Sequence, residues 1–176
     1  MSNGVALQNL NIDYNQPRFN HPSFPLGEIM NLNIRRATSA DRTEWLRMRH
    51  ALWSEDDLET LELDMDSMLA DPLTPVFVVE RADGKLGAFI ETGTRKYADG
   101  ALSSPVGYIE GWYVDEDLRG QGIGKALMQA AEDWARSIGA TEMASDTWLD
   151  NEISIKAHLG AGYEEVERLV HFLKTL

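Results

Sequence analysis

The stretch "VGYIEGWYVDEDLRGQGIGKAL", residues 106–127, decides the fold. Its first half reads as a long β-strand carrying Tyr108, Glu110, Trp112 and Val114. Its second half places Gly120, Gly122 and Gly124 directly before a helical pattern. Glycine admits unusual backbone angles and lets the backbone approach a ligand closely, since no Cβ stands in the way. Amides at a helix N-terminus lack internal partners and lie at the positive end of the helix dipole, so they suit a pyrophosphate. A plain loop is the rival reading. The Walker phosphate loop is excluded, because Lys125 is followed by Ala126 and Gly124 has no glycine five residues before it. The dinucleotide fingerprint GxGxxG is also absent.

Working outward, the downstream pattern Ile123, Leu127, Ala130, Trp134, Ile138 is the apolar stripe of a helix ending near Gly139. Then "ATEMASDTW" reads as a strand, "NEISIKAHL" as a short helix before "GAG", and "YEEVERLVHFLKT" as one or two strands. Upstream, "PVFVVER" and "KLGAFIETGTR" flank the Asp-Gly turn of a β-hairpin. "LNIRRA" is a first strand, and a helix follows, capped by Thr38 or Ser39 and carrying Trp45, Met48 and Leu52. A second helix over about 56–70 has an acidic side, and no Lys or Arg occurs between Arg49 and Arg81. A solvated face and a wall for a polycation both explain that run. The order predicts an α/β domain with a mixed, mostly antiparallel sheet and flanking helices.

The chain has 176 residues, is 43% hydrophobic and carries a formal net charge of -13, enough for one domain with a proper core. That charge argues against nucleic acid and favours a cationic partner, although solubility alone explains it too. The absence of cysteine excludes disulfides, thiolate metal sites and a cysteine nucleophile, and fits a cytoplasmic setting. The four histidines, His21, His50, His158 and His171, show no metal-ligand spacing, so no metal is expected. Residues 1–29 lack the basic start and long apolar run of a signal peptide, and no stretch reaches the length of a membrane span. They read as a flexible leader or an added extension, with the domain occupying 30–176.

The pattern Arg-x-x-Gly-x-Gly at Arg119, Gly122 and Gly124, after a strand, resembles the coenzyme A pyrophosphate loop of the GCN5-related N-acetyltransferase superfamily. "NEISIKAHLGAGY" resembles its downstream segment through Asn151, Ser154, His158, Gly162 and Tyr163. "ALW", "KYADG", "SSPVGYIEGWYV" and "EMASDTWLDNEIS" further resemble the aminoglycoside 6'-N-acetyltransferases.

The resemblance implies one acetyltransferase domain with a splayed central cleft, usually a homodimer. It implies acetyl-coenzyme A as cosubstrate and acetylation of the 6'-amine of an aminoglycoside, hence antibiotic resistance. Carried onto this sequence, Trp112, Tyr113, Val114, Arg119, Gly120, Gln121, Gly122, Ile123, Gly124, Lys125 and Asn151 would hold the coenzyme. Trp53, Tyr97, Glu110 and Asp146 would line the aminoglycoside site, with Asp150 and Glu152 as further carboxylates. Glu110 and Asp146 would accept the proton, and the Val114 amide would polarise the acetyl carbonyl. His158 stands where many members have a tyrosine that protonates the departing thiolate, so the general acid is open between His158, water and direct departure.

Each residue has a plainer role to be weighed. Glu110 sits in an apolar strand, where burial without function would be costly. Asp146 could end its strand as a cap, Trp53 and Tyr97 could be ordinary aromatics, and Lys125 could be a solvated helix charge. At the level of function, the alternatives are acetylation of a polyamine or a protein amine, and a non-catalytic coenzyme A sensor.

Overall fold

The computed structural model describes residues 33–176, so the leader expected at 1–29 lies outside the described residues. A five-stranded sheet runs in sequence order: β1 (Asn33–Arg36), β2 (Val76–Glu80), β3 (Leu86–Arg95), β4 (Val106–Val114) and β5 (Met143–Ser145). The first four strands are antiparallel, and only β4 with β5 is parallel. The expected mixed, mostly antiparallel sheet is what forms. The β2–β3 hairpin closes on Asp83-Gly84, with Gly84 at φ +82° and the Arg81 amide donating to the Lys85 carbonyl at 2.8 Å.

Helices cover both faces. On one, α4 (Ile123–Ser137) buries Ile123, Leu127, Met128 and Ala131 against Val79, Ala88, Ile90 and Ile109. On the other, α1 (Arg42–Leu52) buries Trp45 and Met48 against Val78, Phe89 and Met65. A short 3-10 turn, Ser39–Asp41, leads into α1, and Asp41 accepts from the Thr38 amide at 2.8 Å and hydroxyl at 2.9 Å. The α5 helix (Glu152–Ala161) closes the α4 side and ends at Gly162, φ +99°.

The structure corrects the expected elements in two places. The second helix is broken into α2 (Leu58–Glu62) and α3 (Met65–Ala70). At the break, Arg49 donates to the Leu61 carbonyl and, at 2.6 Å, to Asp64. The C-terminal strands do not form among the described residues. Residues 164–176 carry neither helix nor strand and are exposed throughout, although their alternation suits a strand. A strand needs a neighbouring edge for its backbone groups, and alternation cannot supply one.

Candidate active site

The long strand β4 carries the site, and a bulge sets its geometry. Glu91 pairs with Gly111 but Thr92 pairs with Ile109, so Glu110 is the extra residue, pushed out of the ladder. Strict alternation predicts Tyr108, Glu110 and Trp112 on one face. The bulge keeps Glu110 with Tyr108 and turns Trp112 onto the α4 side with Ile109. It also exposes Glu110, whose side chain is 36% accessible. The expected cost of burying Glu110 is therefore not incurred.

The parting of β4 and β5 happens at the same point. Their pairing stops at Ile109 with Ser145, leaving β4 without that neighbour from Glu110 onward. The Asp115 amide donates to the Gly87 carbonyl at 2.8 Å, on the β3 side. Backbone groups alternate edges along an antiparallel strand, so the Val114 N–H faces away from β3, into the gap. Its carbonyl faces the same way and accepts Arg119 Nε at 2.9 Å.

Beyond this edge stands the glycine loop. Gly120 and Gly122 have φ of +73° and +80°, conformations that side-chain-bearing residues rarely adopt, with open space where a Cβ would sit. Gly122 caps α4 with no side-chain hydrogen bond to the helix's first amides. Gly124 is required for another reason: a Cβ there would lie 2.4 Å from the Trp112 indole. Gly124→Ala should therefore cost about 1–3 kcal/mol as an overpacked site. Urea denaturation checks this, with Gly160→Ala, which meets open space, as the matched control.

Around Glu110, charges form a connected cluster. Arg95 donates to it twice, Nε to Oε1 at 3.1 Å and Nη2 to Oε2 at 2.5 Å. The Arg95 guanidinium lies 3.4 Å from the Tyr108 ring centre, and the Tyr108 hydroxyl donates to Asp146 at 2.8 Å. Burial and Asp146 together push the Tyr108 hydroxyl well above its ordinary pKa, so it stays a donor. Asp146 thus bonds a tyrosine across the sheet, and Glu110 and Asp146 come together through Arg95 and Tyr108.

A pocket of about 500 Å³ opens beside this cluster, with Arg49, Trp53, Asp64, Glu91 and Glu110 in its wall. Trp53 is held from two sides. Arg49 stacks 5.2 Å from its ring, and a Cβ on Gly111 would lie 2.5 Å from it. Beneath sits Glu91, 2% exposed, accepting Trp45 Nε1 at 2.7 Å and Arg49 Nη2 at 3.4 Å, with Arg49 Nε 2.9 Å away as the ion-pair contact. Burial pushes its carboxyl up to about 7, against the opposing pull of Arg49 and Trp45.

Several sequence-predicted residues stand apart from the cluster. Tyr97 is 70% exposed, with its hydroxyl donating to Asp99 at 2.7 Å. Asp150 is exposed, and exposed Glu152 pairs with Lys156 at 2.9 Å. Asn151 caps α5, its side chain accepting the Ser154 amide at 3.1 Å. Gln121 turns back to the Asp117 carbonyl at 2.8 Å, and Lys125 is exposed in the first turn of α4.

His158 is half-buried between Trp112 and Tyr163, edge-on to both rings. Its Nδ1 lies 2.8 Å from the Ser154 carbonyl, which only accepts, so that nitrogen carries the proton in the neutral ring. Nε2 then accepts from the Ser145 hydroxyl at 3.0 Å. Neutral His158 has no spare proton for a leaving group; only its imidazolium form has one to give, through Ser145.

Sequence reasoning missed Arg95, Tyr108, Arg49 and Glu91. Glu91 shows the signal that singled out Glu110, a lone carboxylate in an apolar strand. Arg49 stands one helical turn from Trp45, also legible. Nothing in the order of residues joins Arg95 to Glu110, because that contact depends on the bulge.

The sequence pattern of the acetyltransferase (GNAT) family matches residues 39–163. The chain belongs to that family. The matched range includes Gly120, Gly122, Gly124 and the point where the β4–β5 pairing ends. Among curated relatives, an aminoglycoside N(6')-acetyltransferase type 1 from Stenotrophomonas maltophilia is 41% identical over 144 residues, covering 81% of this chain and 93% of that protein. Another of the same name, from Klebsiella aerogenes, is 38% identical over 81% of this chain and 96% of its own length. Among solved structures, AAC(6')-Iy bound to the bisubstrate analog CoA-S-monomethyl-acetylneamine superposes with a TM-score of 0.78 at 32% identity, over 82% of this chain and 99% of that one. The apo 6'-N-acetyltransferase AAC(6')-IG from Acinetobacter haemolyticus gives 0.77 at 36%, with the same coverage.

Proposed function

We propose that this chain transfers the acetyl group of acetyl-coenzyme A to the 6'-amine of aminoglycosides, by direct attack in a ternary complex. The carrying observation is the joining of Glu110 and Asp146 at the point where β4 parts from β5, across from the glycine loop. The names of the relatives support the reading. Antibiotic resistance, a cytoplasmic location and a single catalytic domain over 30–176 belong to the same reading.

The residues present fit the coenzyme. Gly120 and Gly122 leave the backbone open at the start of α4, where amides would receive the pyrophosphate, with Arg119 and Lys125 beside them. The outer edge of β4 from Trp112 to Val114 has no β5 partner, so it would pair with the pantetheine arm like an added strand. When bound, acetyl-coenzyme A supplies the activated acyl group, and the Val114 N–H would stabilise negative charge developing on its carbonyl oxygen.

On the acceptor side, Glu110 and Asp146 would hold ammonium groups, with Glu110 taking the proton from the attacking amine. Trp53 would form the wall on which the sugar rings rest. Thiol release from acetyl-coenzyme A, with 6'-amino aminoglycosides set against a 6'-hydroxy analogue, spermidine and a lysine-rich peptide, tests the reading. Turnover confined to the 6'-amino drugs is the expected result. Turnover on spermidine or the peptide alone would overturn the substrate assignment, and coenzyme binding without turnover would leave a sensor.

The reading includes a homodimer. The exposed C-terminal arm presents Val166, Val170, Phe172 and Leu173, the last two 93% and 98% accessible. A second copy would cover these side chains and provide the strand partner the arm does not have among the described residues. Light scattering should find twice the chain mass, falling to one chain in a Phe172→Asp, Leu173→Asp variant. A monomeric parent chain would refute the dimer.

A further inference from the structure

The carboxylate that would receive a substrate ammonium already holds a cation. Arg95, the last residue of β3, takes both oxygens of Glu110, at 3.1 and 2.5 Å. The same guanidinium lies 3.4 Å from the centre of the Tyr108 ring, whose hydroxyl is bound to Asp146. One side chain thus occupies the carboxylate and the aromatic face beside the second carboxylate. Both features attract an alkylammonium, by charge pairing and by cation–π attraction.

The pair is open to water, with side-chain exposures of 42% for Arg95 and 36% for Glu110. Ion pairs this exposed contribute little to folding and exchange readily. Arg95 differs in this from Arg49, 7% exposed and bonded to Asp64 and Glu91. Burial fixes Arg49 in the wall, whereas Arg95 stands open to solvent.

We propose that Arg95 is a displaceable counter-ion of the acceptor site, a competitor that the incoming ammonium must move off Glu110. The proposal rests on the reading that Glu110 receives the substrate amine. In the free protein Arg95 neutralises Glu110 and keeps it from binding stray monovalent cations. On substrate entry the guanidinium swings toward solvent, and the substrate ammonium takes its place. No bond is made or broken; one ion pair replaces another. Arg95 therefore tunes affinity without touching the reacting atoms, as a specificity-determining residue for cationic substrates.

The sign of the effect makes the idea testable. Removing an arginine that binds substrate, or merely supports the site, weakens binding. Removing a competitor strengthens it. Arg95→Ala should lower KM for a 6'-amino aminoglycoside roughly two- to fivefold, the size of one exposed ion pair, with kcat changed less than twofold. Calorimetric titration of the drug into the protein without acetyl-coenzyme A should show the same gain in Kd. The salt dependence of kcat/KM should steepen, because Glu110 is no longer neutralised from within. In a Glu110→Gln background, Arg95→Ala should have no effect on KM, as the two changes act on one contact.

A KM raised or unchanged by Arg95→Ala, with Glu110→Gln still damaging, would overturn the proposal alone. A Glu110→Gln change without effect would remove the acceptor site from Glu110 and take the Arg95 proposal with it. The two failures are thereby distinguished. Thermal melting of Arg95→Ala should match the parent, since the pair is exposed, and a large fall in Tm with weakened binding would mean a structural role.

Discussion

Glu110→Gln is expected to lower kcat/KM for a 6'-amino aminoglycoside by roughly 10²–10⁴-fold, the usual range for removing a general base. Glutamine keeps the size and the bulged backbone of β4 but cannot take a proton. It also loses the charge that would hold the substrate. Most of the loss should therefore appear in kcat if Glu110 is the base, and in KM if it only binds. Binding of acetyl-coenzyme A should be unaffected, because the coenzyme contacts assigned here lie on Trp112 to Val114 and on the glycine loop. Asp146→Asn should be milder and raise KM, as the Tyr108 hydroxyl can still donate to the amide oxygen. Steady-state kinetics by thiol release measures all of these. A loss below tenfold for Glu110→Gln would remove the base from Glu110.

The second large effect is on stability. Arg49→Met should destabilise the fold by about 3–5 kcal/mol, the cost of stranding a buried carboxylate. Arg49 binds Asp64 and Glu91, accompanies the break between α2 and α3, and stacks on Trp53. Glu91 adds a pH dependence of definite sign. Its folded carboxyl titrates at about 7, against 4.5 unperturbed, because burial outweighs its partners. Between those values the folded chain holds a proton that the unfolded chain has lost, so stability falls as pH rises through about 7. Glu91→Gln removes that part of the slope. The parent should therefore lose up to about 3 kcal/mol relative to Glu91→Gln between pH 5 and 8, at about 1.4 kcal/mol per pKa unit. Urea unfolding of both proteins across that range measures it, and parallel curves would place the Glu91 carboxyl in its ordinary range.

Both effects come from carboxylates in apolar strands, and they show how far such a signal reaches. A lone acid among apolar residues is legible in "YIEGW" and in "AFIETG" alike. One proves exposed and the other fully buried, because the bulge at Glu110 turns a strand position outward while Glu91 keeps its place facing α1. Periodicity finds strands; it does not find where a ladder slips by one residue. The same slip places Trp112 with α4 instead of with Glu110, and so decides which aromatic ring meets Gly124.

Local chemistry in the sequence determined the hairpin at Asp83-Gly84, the stripe of α4, the stop at Gly139 and the glycine loop. Each depends on neighbours within a few residues, through turn geometry, helical spacing or a positive φ. The parting of β4 and β5 after Ile109, the outward Val114 amide, the Arg95–Glu110–Tyr108–Asp146 cluster and the contacts of Arg49 at the break between α2 and α3 depend on contacts between distant segments. So does the C-terminal arm, which has the alternation of a strand but pairs with none among the described residues. Hydrophobic spacing is a property of a segment, whereas register, burial and ion pairing belong to two segments at once, and only the folded chain brings those together.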